Sequence, residues 1–200
     1  MKTDVLILAA GLGRRFIGNK MMYEYNGRPL VSNCLSLCTS LLSEDRINSV
    51  TVVVSNETVS SYVKECFPDF SIIDNPHPED GISSSIRTGI QAIRAANPRS
   101  NSTLILLGDM PNLTQSHIIS LIDACQKPPI EIAASHVIGS PDDDFRNPIV
   151  ISSKFYDELL LLSNDHGAKS IIKKQYNTSS GTIAIVDTEE SVLCDIDTRK

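Results

Sequence analysis

Hydrophobic positions along this chain come in two kinds of block. Short runs apolar at every position alternate with longer stretches apolar on one side only. VLILA at Val5–Ala9, VTVVV at Val50–Val54 and TLILL at Thr103–Leu107 are short, rich in branched residues and bounded by turn signals. That pattern predicts strands covered on both faces. Further strands are expected at Ser71–Asp74, Ile130–Ala134, Pro148–Ile151 and Thr182–Val186. Helices are expected at Pro29–Leu42, Thr58–Cys66, Ser83–Ala96, Thr114–Gln126, Lys154–Leu162 and Ala168–Gln175. Ile86, Ile90 and Ile93 recur at helical spacing and form a stripe for burial against a sheet. Thr114 is a good cap for the fourth helix, Lys127-Pro128-Pro129 stops it, and the serines after Gly81 offer caps to the third.

Strand and helix alternate throughout, which predicts the α/β class. The expected architecture is a single domain over residues 1–200. It is a three-layer α/β/α sandwich around a Rossmann-like, mostly parallel sheet. Ligands of such sheets bind beyond the carboxyl ends of the strands. The chemically suggestive segments all fall at strand ends or helix starts.

The first of these is AAGLGRRFIGNK, Ala9–Lys20. Gly11 and Gly13 allow positive φ and let a ligand approach the backbone. Exposed backbone N–H groups bind anions, and Arg14, Arg15 and Lys20 add positive charge beside them. A triphosphate cradle follows. It is not a Walker A loop: Gly13 and Gly18 have the glycine spacing, but Asn19 stands at the lysine position and Met21 follows Lys20 where a hydroxyl is required. The dinucleotide pattern G-x-G-x-x-G fails at Phe16, although Glu57 could serve as its acidic ribose partner, so a nicotinamide- or nucleotide-binding module without catalysis is a competing reading.

The second segment is LILLGDMP, Leu104–Pro111, in which a buried strand delivers Asp109 to the same sheet edge. A carboxylate facing a polyphosphate is repulsive unless a cation intervenes. Magnesium fits, because it takes one or two carboxylates plus phosphate oxygens. Asp195 and Asp197, two apart in an extended segment, point the same way and form a second candidate carboxylate pair. Gly81, Ser83, Ser84 and Ser85 could meet the polar groups of a ribose or base. Ser140–Arg146 (SPDDDFR) reads as a mobile polar loop, with a substrate lid as one use.

Charge and composition narrow the partners. A net charge of −6 argues against a broad nucleic-acid surface. No apolar run approaches the roughly 18 residues of a membrane helix, and no signal-peptide pattern opens the chain. A cytoplasmic location is expected. Five cysteines include no C-x-x-C pair, and Cys34 and Cys38 fall on the apolar stripe of the first helix, so buried thiols are expected there. His77, His117, His136 and His166 show no metal-ligand spacing.

Together these positions resemble the small nucleotidyltransferases that activate molybdenum cofactor, most closely the molybdenum cofactor cytidylyltransferases. The motifs are LAAGLGRRFIGNK (Leu8–Lys20), GRPL (Gly27–Leu30), GISSSIRTG (Gly81–Gly89) and GDMP (Gly108–Pro111). NPIV (Asn147–Val150), NDHGAKSII (Asn164–Ile172) and DIDT (Asp195–Thr198) complete them. The resemblance spans the chain in the family's order, and the last two motifs point to the narrower group. Ile17 stands where the family has glycine, and Phe145-Arg146 replaces a glycine near NPIV.

The resemblance implies the fold of nucleotide-diphospho-sugar transferases and a magnesium-dependent reaction. CMP would pass from CTP to the terminal phosphate of a phosphorylated pterin, releasing pyrophosphate. Leu8, Ala9, Ala10, Gly11 and Gly13, with Gly81, Ser84 and Ser85, would hold the nucleotide. Arg14, Arg15 and Lys20 would meet its phosphates, Arg15 and Lys20 acting with Asp109 in catalysis. Asp109 would hold magnesium with Asp195 or Asp197. Asn147, Pro148, Asp165 and His166 would lie on the acceptor side. Relatives using GTP tend to carry glycine at the position of Ala10, so LAAG favours CTP. A guanylyltransferase and a sugar- or alcohol-phosphate nucleotidyltransferase are the alternatives. A molybdoenzyme or its chaperone is the protein partner such an enzyme would serve.

Overall fold

The computed structural model describes residues 3–13, 16, 18–163 and 167–196. Strand β1 (Thr3–Ala9) leads through the glycine loop to a short hairpin, β2 (Glu24–Tyr25) and β3 (Arg28–Pro29). There follow α1 (Ser32–Ser43), β4 (Ser49–Val54), α2 (Glu57–Cys66), β5 (Ser71–Asp74), α3 (Ile82–Ala96) and β6 (Ser102–Leu107). The second half contains α4 (Gln115–Cys125), β7 (Ile132–Val137), β8 (Arg146–Ser152), α5 (Tyr156–Leu160), α6 (Lys169–Ser179), β9 (Ile183–Thr188) and α7 (Glu190–Leu193). All seven expected strands are present. The first helix starts later than its pattern suggests, because Arg28 and Pro29 pair with Tyr25 and Glu24 in the hairpin.

The seven long strands form one sheet in the order β5-β4-β1-β6-β8-β7-β9. β8 pairs antiparallel with both β6 and β7, and the other pairings are parallel. The cause is the short connection 138–145, which allows a hairpin return but no crossover. β1 is an interior strand between β4 and β6, every one of its residues buried. Its side chains alternate between two cores. Val5, Ile7 and Ala9 face Cys34, Leu35 and Leu41 of α1, Val59 and Val63 of α2, and Ile118 and Leu121 of α4. Leu6, Leu8 and Ala10 face Ile86, Ile90 and Ile93 of α3 and Ile171 and Ile172 of α6. Each such aliphatic side chain contributes about 1.5–3 kcal/mol on burial. Cys34, Cys38 and Cys125 are buried thiols, as the helical stripe required, whereas Cys66 and Cys194 are exposed.

At the edge away from the glycine loop, Asp4 Oδ1 accepts from Asn48 Nδ2 (2.8 Å), Ser49 Oγ (2.6 Å) and Asn97 Nδ2 (3.0 Å). These bonds tie β1 to the start of β4 and the end of α3. The expected serine caps on α3 do not occur. Its N-cap is Gly81, with φ 80° and no side-chain cap, and the three serines lie inside the first turns, buried.

Helix α3 approaches β1 closely at Gly89. A Cβ there would overlap the terminal methyls of Leu6 and come within 3.1 Å of its Cγ, and Leu6 is itself wholly enclosed. Gly89→Ala is therefore expected to destabilise the protein by about 1–3 kcal/mol despite the gain in helix propensity, which urea denaturation will measure.

Candidate active site

Strand alternation decides which residues of the first loop face the cleft. Leu8 and Ala10 emerge on the α3 side and Ala9 on the opposite side. Gly13 has φ 54°, as expected of the turn, but Gly11 is not in the left-handed region. Its value is spatial: a Cβ on Gly11 would meet nothing of the protein within 4 Å, which leaves room for a ligand against the backbone. The loop is held from three sides. Ser55 Oγ donates to the Ala10 carbonyl (3.0 Å). Asn19 Nδ2 donates to Asn56 Oδ1 (3.0 Å), the atom that also caps α2 through Thr58 N–H. Phe16 is buried, donates from its N–H to the Gly13 carbonyl (2.6 Å) and meets Tyr23 edge to face. Ser55 and Asn56 lie outside every motif, and no spacing in the sequence marks them or Phe16 and Asn19 as anchors.

Lys20 opens a 3-10 turn, Lys20–Met22. Asp109 leaves β6, the strand beside β1, at the same edge. Between them lies little space. Gly108 N–H bonds the Leu8 carbonyl (3.0 Å), and a Cβ on Gly108 would stand 3.1 Å from Met21 sulphur and 3.3 Å from that carbonyl. Lys20 Nζ and Asp109 Oδ2 are 2.6 Å apart, with side chains only 10% and 13% exposed. Asp109 Oδ1 is buried and has no hydrogen-bond partner among the described residues.

A cavity of about 400 Å³ opens between the glycine loop and the start of α3, lined by Ala10, Gly11, Gly13, Gly81, Ser85 and Asp109. Ser85 reaches it while accepting from Asn75 Nδ2 (3.0 Å). Ser84 does not line it. Its hydroxyl sits 2.7 Å from both Asn75 Oδ1 and the His77 carbonyl. Ser84 thus props the loop after β5 from behind, a correction to its expected place against the nucleotide.

A second cavity of about 240 Å³ adjoins the first, sharing Leu8, Ile82 and Leu107 as walls. Its polar lining is Arg146, Asn147, Lys169 and Asp195. Asn147 is presented by an irregularity in the sheet. The β7–β8 register jumps from Ala134↔Ile149 to Ser135↔Arg146, leaving Asn147 and Pro148 as extra residues that re-aim the strand. Pro148 itself is buried in the sheet and does not line the cavity. Behind it, Ser135 Oγ donates to the Pro148 carbonyl (2.6 Å) and therefore accepts from His117 Nε2–H (2.8 Å). That places the proton of neutral His117 on Nε2, and burial lowers its pKa.

Asp195 reaches the site because the segment after α7 docks beside Asp109, Ile196 N–H donating to the Asp109 carbonyl (3.2 Å). Arg14, Arg15, Asp165, His166 and Asp197 lie outside the described residues. Among the described residues no group of three or more His, Cys, Asp or Glu side chains forms a metal cluster. The cleft therefore offers Asp109 and Asp195 on one side and the glycine-loop amides and Lys20 on the other. Such a site can hold an anion against a carboxylate that shares a cation with it.

The MobA-like NTP transferase domain matches residues 5–179. The chain belongs to this family. Its members' common fold and the relatives below make it a nucleotidyltransferase enzyme that binds nucleotides. It is 30% identical to purine catabolism protein PucB of Bacillus subtilis, over 99% of this chain and 94% of that protein. In fold it is similar to Rv0371c of Mycobacterium tuberculosis (TM-score 0.76, 18% identity, 99% of this chain and 94% of that one). A manganese complex of Rv0371c superposes with a TM-score of 0.72 at 16% identity, over 99% and 94% of the two chains. 4-Diphosphocytidyl-2C-methyl-D-erythritol synthase of Anaerococcus prevotii gives 0.75 at 15% identity, over 99% and 91%. No helix among the described residues is long and apolar enough to cross a membrane.

The loop 138–145 beside the second cavity is not free, in contrast to its expected mobility. His136 Nδ1 meets Asp187 (2.8 Å) and its Nε2 meets the Pro141 carbonyl (3.0 Å). Lys173 pairs with Asp143 and Lys169 with Asp144. The hydrogen bond to Asp187, reinforced by the Pro141 carbonyl, raises the His136 pKa. A raised folded pKa stabilises most below the free-histidine value near 6.5 and loses that contribution as pH rises through the folded value. Asp187→Asn is accordingly expected to cost more stability at mildly acidic than at mildly alkaline pH. Paired urea melts would show a pH-independent loss if the arrangement were wrong.

Proposed function

We propose that this enzyme transfers CMP from CTP to the terminal phosphate of a phosphorylated pterin of the molybdopterin type, with release of pyrophosphate and with magnesium as the divalent ion. The observation that carries this reading is the Lys20–Asp109 contact, with Asp109 in the wall of the larger of two adjoining cavities. The larger cavity takes the nucleotide: Ala10, Gly11 and Gly13 lie along it, Gly81 and Ser85 oppose them, and Lys20 serves the phosphates. The smaller cavity takes the acceptor, with Asn147 and Asp195 on its wall.

The donor set suits a hard divalent cation. Asp109 Oδ1 is a buried carboxylate oxygen without a hydrogen-bond partner among the described residues, and magnesium takes one or two carboxylates together with phosphate oxygens. Asp109 would hold it, with Asp195 or Asp197 as second ligand, and its charge would offset that of the triphosphate. The manganese bound to Rv0371c is in keeping with a divalent ion in this fold. An attacking phosphate monoester is already an anion, so the reaction requires no strong general base. Catalysis reduces to aligning two anions and screening their repulsion. Lys20 supplies fixed positive charge, the glycine-loop amides supply directed donors, and Leu8, Ile82 and Leu107 exclude water between the two substrates.

Cytidine as the base rests on Ala10, whose side chain lines the nucleotide cavity and is almost wholly enclosed. A methyl group in a close-fitting pocket discriminates by about 1–3 kcal/mol. Ala10→Gly is expected to lower the ratio of kcat/KM for CTP over GTP; an unchanged ratio would detach base choice from this position.

The decisive assay is incubation of the protein with labelled CTP, magnesium and purified molybdopterin cofactor, followed by product analysis. Asp109→Asn, which keeps shape and removes charge, should abolish magnesium-dependent pyrophosphate release while circular dichroism stays native. Lys20→Ala should lose about 2–4 kcal/mol of transition-state stabilisation in kcat/KM. Full turnover in either variant would remove that residue from the mechanism.

A further inference from the structure

The acceptor cavity carries a feature that the transfer reaction alone does not require. Asp144, from the loop before β8, is gripped on both oxygens. Its Oδ2 accepts from Arg146 Nε (3.0 Å) and Nη2 (2.9 Å), and its Oδ1 accepts from Lys169 Nζ (3.0 Å). Arg146 and Lys169 line the cavity, and Asp144 does not. The two cations come from different elements, the first residue of β8 and the first of α6. Arg146 is also the β8 residue at which pairing with β7 resumes beyond the register jump at Asn147 and Pro148. Asn147 and Asp195 are the other polar residues of the wall, and most of the rest is apolar, with Leu8, Ile86, Phe145, Ile149 and Ile172.

We propose that Arg146 and Lys169 bind the phosphate of the acceptor, and that Asp144 holds both side chains in position until that phosphate replaces it. The proposal rests on the transfer reading for the identity of the ligand as an acceptor. A carboxylate taking the two donors of an arginine fork plus a lysine makes the contacts that a phosphate monoester would make, with one charge fewer. The exchange is energetically open. Arg146, Lys169 and Asp144 are 42%, 48% and 24% exposed, and ion pairs so accessible to water contribute little to stability. A dianion that also buries a ring against Phe145 and Ile149 gains more than Asp144 loses.

The test uses phenyl phosphate, a ring bearing one phosphate monoester, titrated against the protein by isothermal titration calorimetry, with phenol as the uncharged comparison. The wild type should bind phenyl phosphate in preference to phenol. Arg146→Gln and Lys169→Gln should each weaken phenyl phosphate by about tenfold or more, the worth of a charge-assisted hydrogen bond. Arg146→Lys should recover part of the loss, and Asp144→Asn should tighten binding by removing the competitor. CTP affinity should be the same in all four variants. Equal phenyl phosphate affinity in the wild type and Arg146→Gln, no measurable binding to the wild type, or weaker binding in Asp144→Asn overturns the proposal. In the transfer assay, Arg146→Gln should raise KM for the acceptor more than it lowers kcat. If CMP transfer occurs and that KM does not move, this inference falls and the transfer reading stands. If no acceptor is cytidylylated but phenyl phosphate binding still depends on Arg146, the phosphate site stands and the transfer reading falls.

Discussion

A lysine ammonium pressed against a carboxylate in a nearly closed cleft is the contact on which both loops of the active site depend. Lys20 and Asp109 belong to loops that leave neighbouring parallel strands, whose register pairs Leu8 with Leu107. The sheet alone therefore brings the two loops side by side. Removing two charges from water is costly, and mutual attraction does little more than offset that cost. Such a pair is a poor source of stability. It does fix where each charge stands, and it makes the loss of either partner expensive because the other is left buried. On the proposed reading, Lys20 cannot turn fully to a phosphate without leaving Asp109 uncompensated. Nucleotide and divalent cation then favour one another's binding, each supplying the charge the other's arrival removes.

The main architecture was readable because its signals are local. Runs such as VLILA and TLILL can only be strands buried on both faces, and the alternation of strand and helix implies the parallel sheet. The reversed direction of β8 was less visible, since NPIVI looks the same in either direction. The clue was the connection 138–145, too short for a crossover helix. The start of α3 misled for a physical reason. Serine is a good cap where its hydroxyl faces free N–H groups. Here Ser83, Ser84 and Ser85 lie inside the helix, and two of them serve Asn75 and His77 on the preceding loop. Composition cannot distinguish a serine that caps from one that props a neighbouring loop.

At the site, the residues foreseen were those whose chemistry is rare at a strand end: Lys20 beside a glycine turn, and Asp109 after an apolar run. The structure brings them into contact and sets Asp195 on the adjoining wall. What stayed hidden was the scaffolding. Ser55, Asn56 and Phe16 hold the glycine loop through ordinary hydrogen bonds and packing, and no spacing rule marks them. Asn147 was marked in the sequence only by its motif. That it reaches the cavity through a register jump between β7 and β8 depends on long-range pairing, which no local pattern encodes.

The two cavities solve one electrostatic problem in the same way. This chain has a net charge of −6, yet the reaction proposed for it must seat two anionic substrates side by side. Beside each cavity the cations that would receive them already rest on a carboxylate: Lys20 on Asp109, and Arg146 with Lys169 on Asp144. An arriving phosphate need not organise loose lysines or arginines, because their side-chain entropy has already been spent. It exchanges places with an internal anion. The difference between the sites lies in burial. Asp109 is nearly enclosed, so its displacement from Lys20 demands another cation. Asp144 is open to water, and its displaced carboxylate is simply hydrated. By this logic the nucleotide side couples to a metal and the acceptor side does not, although both use the same pairing of charges.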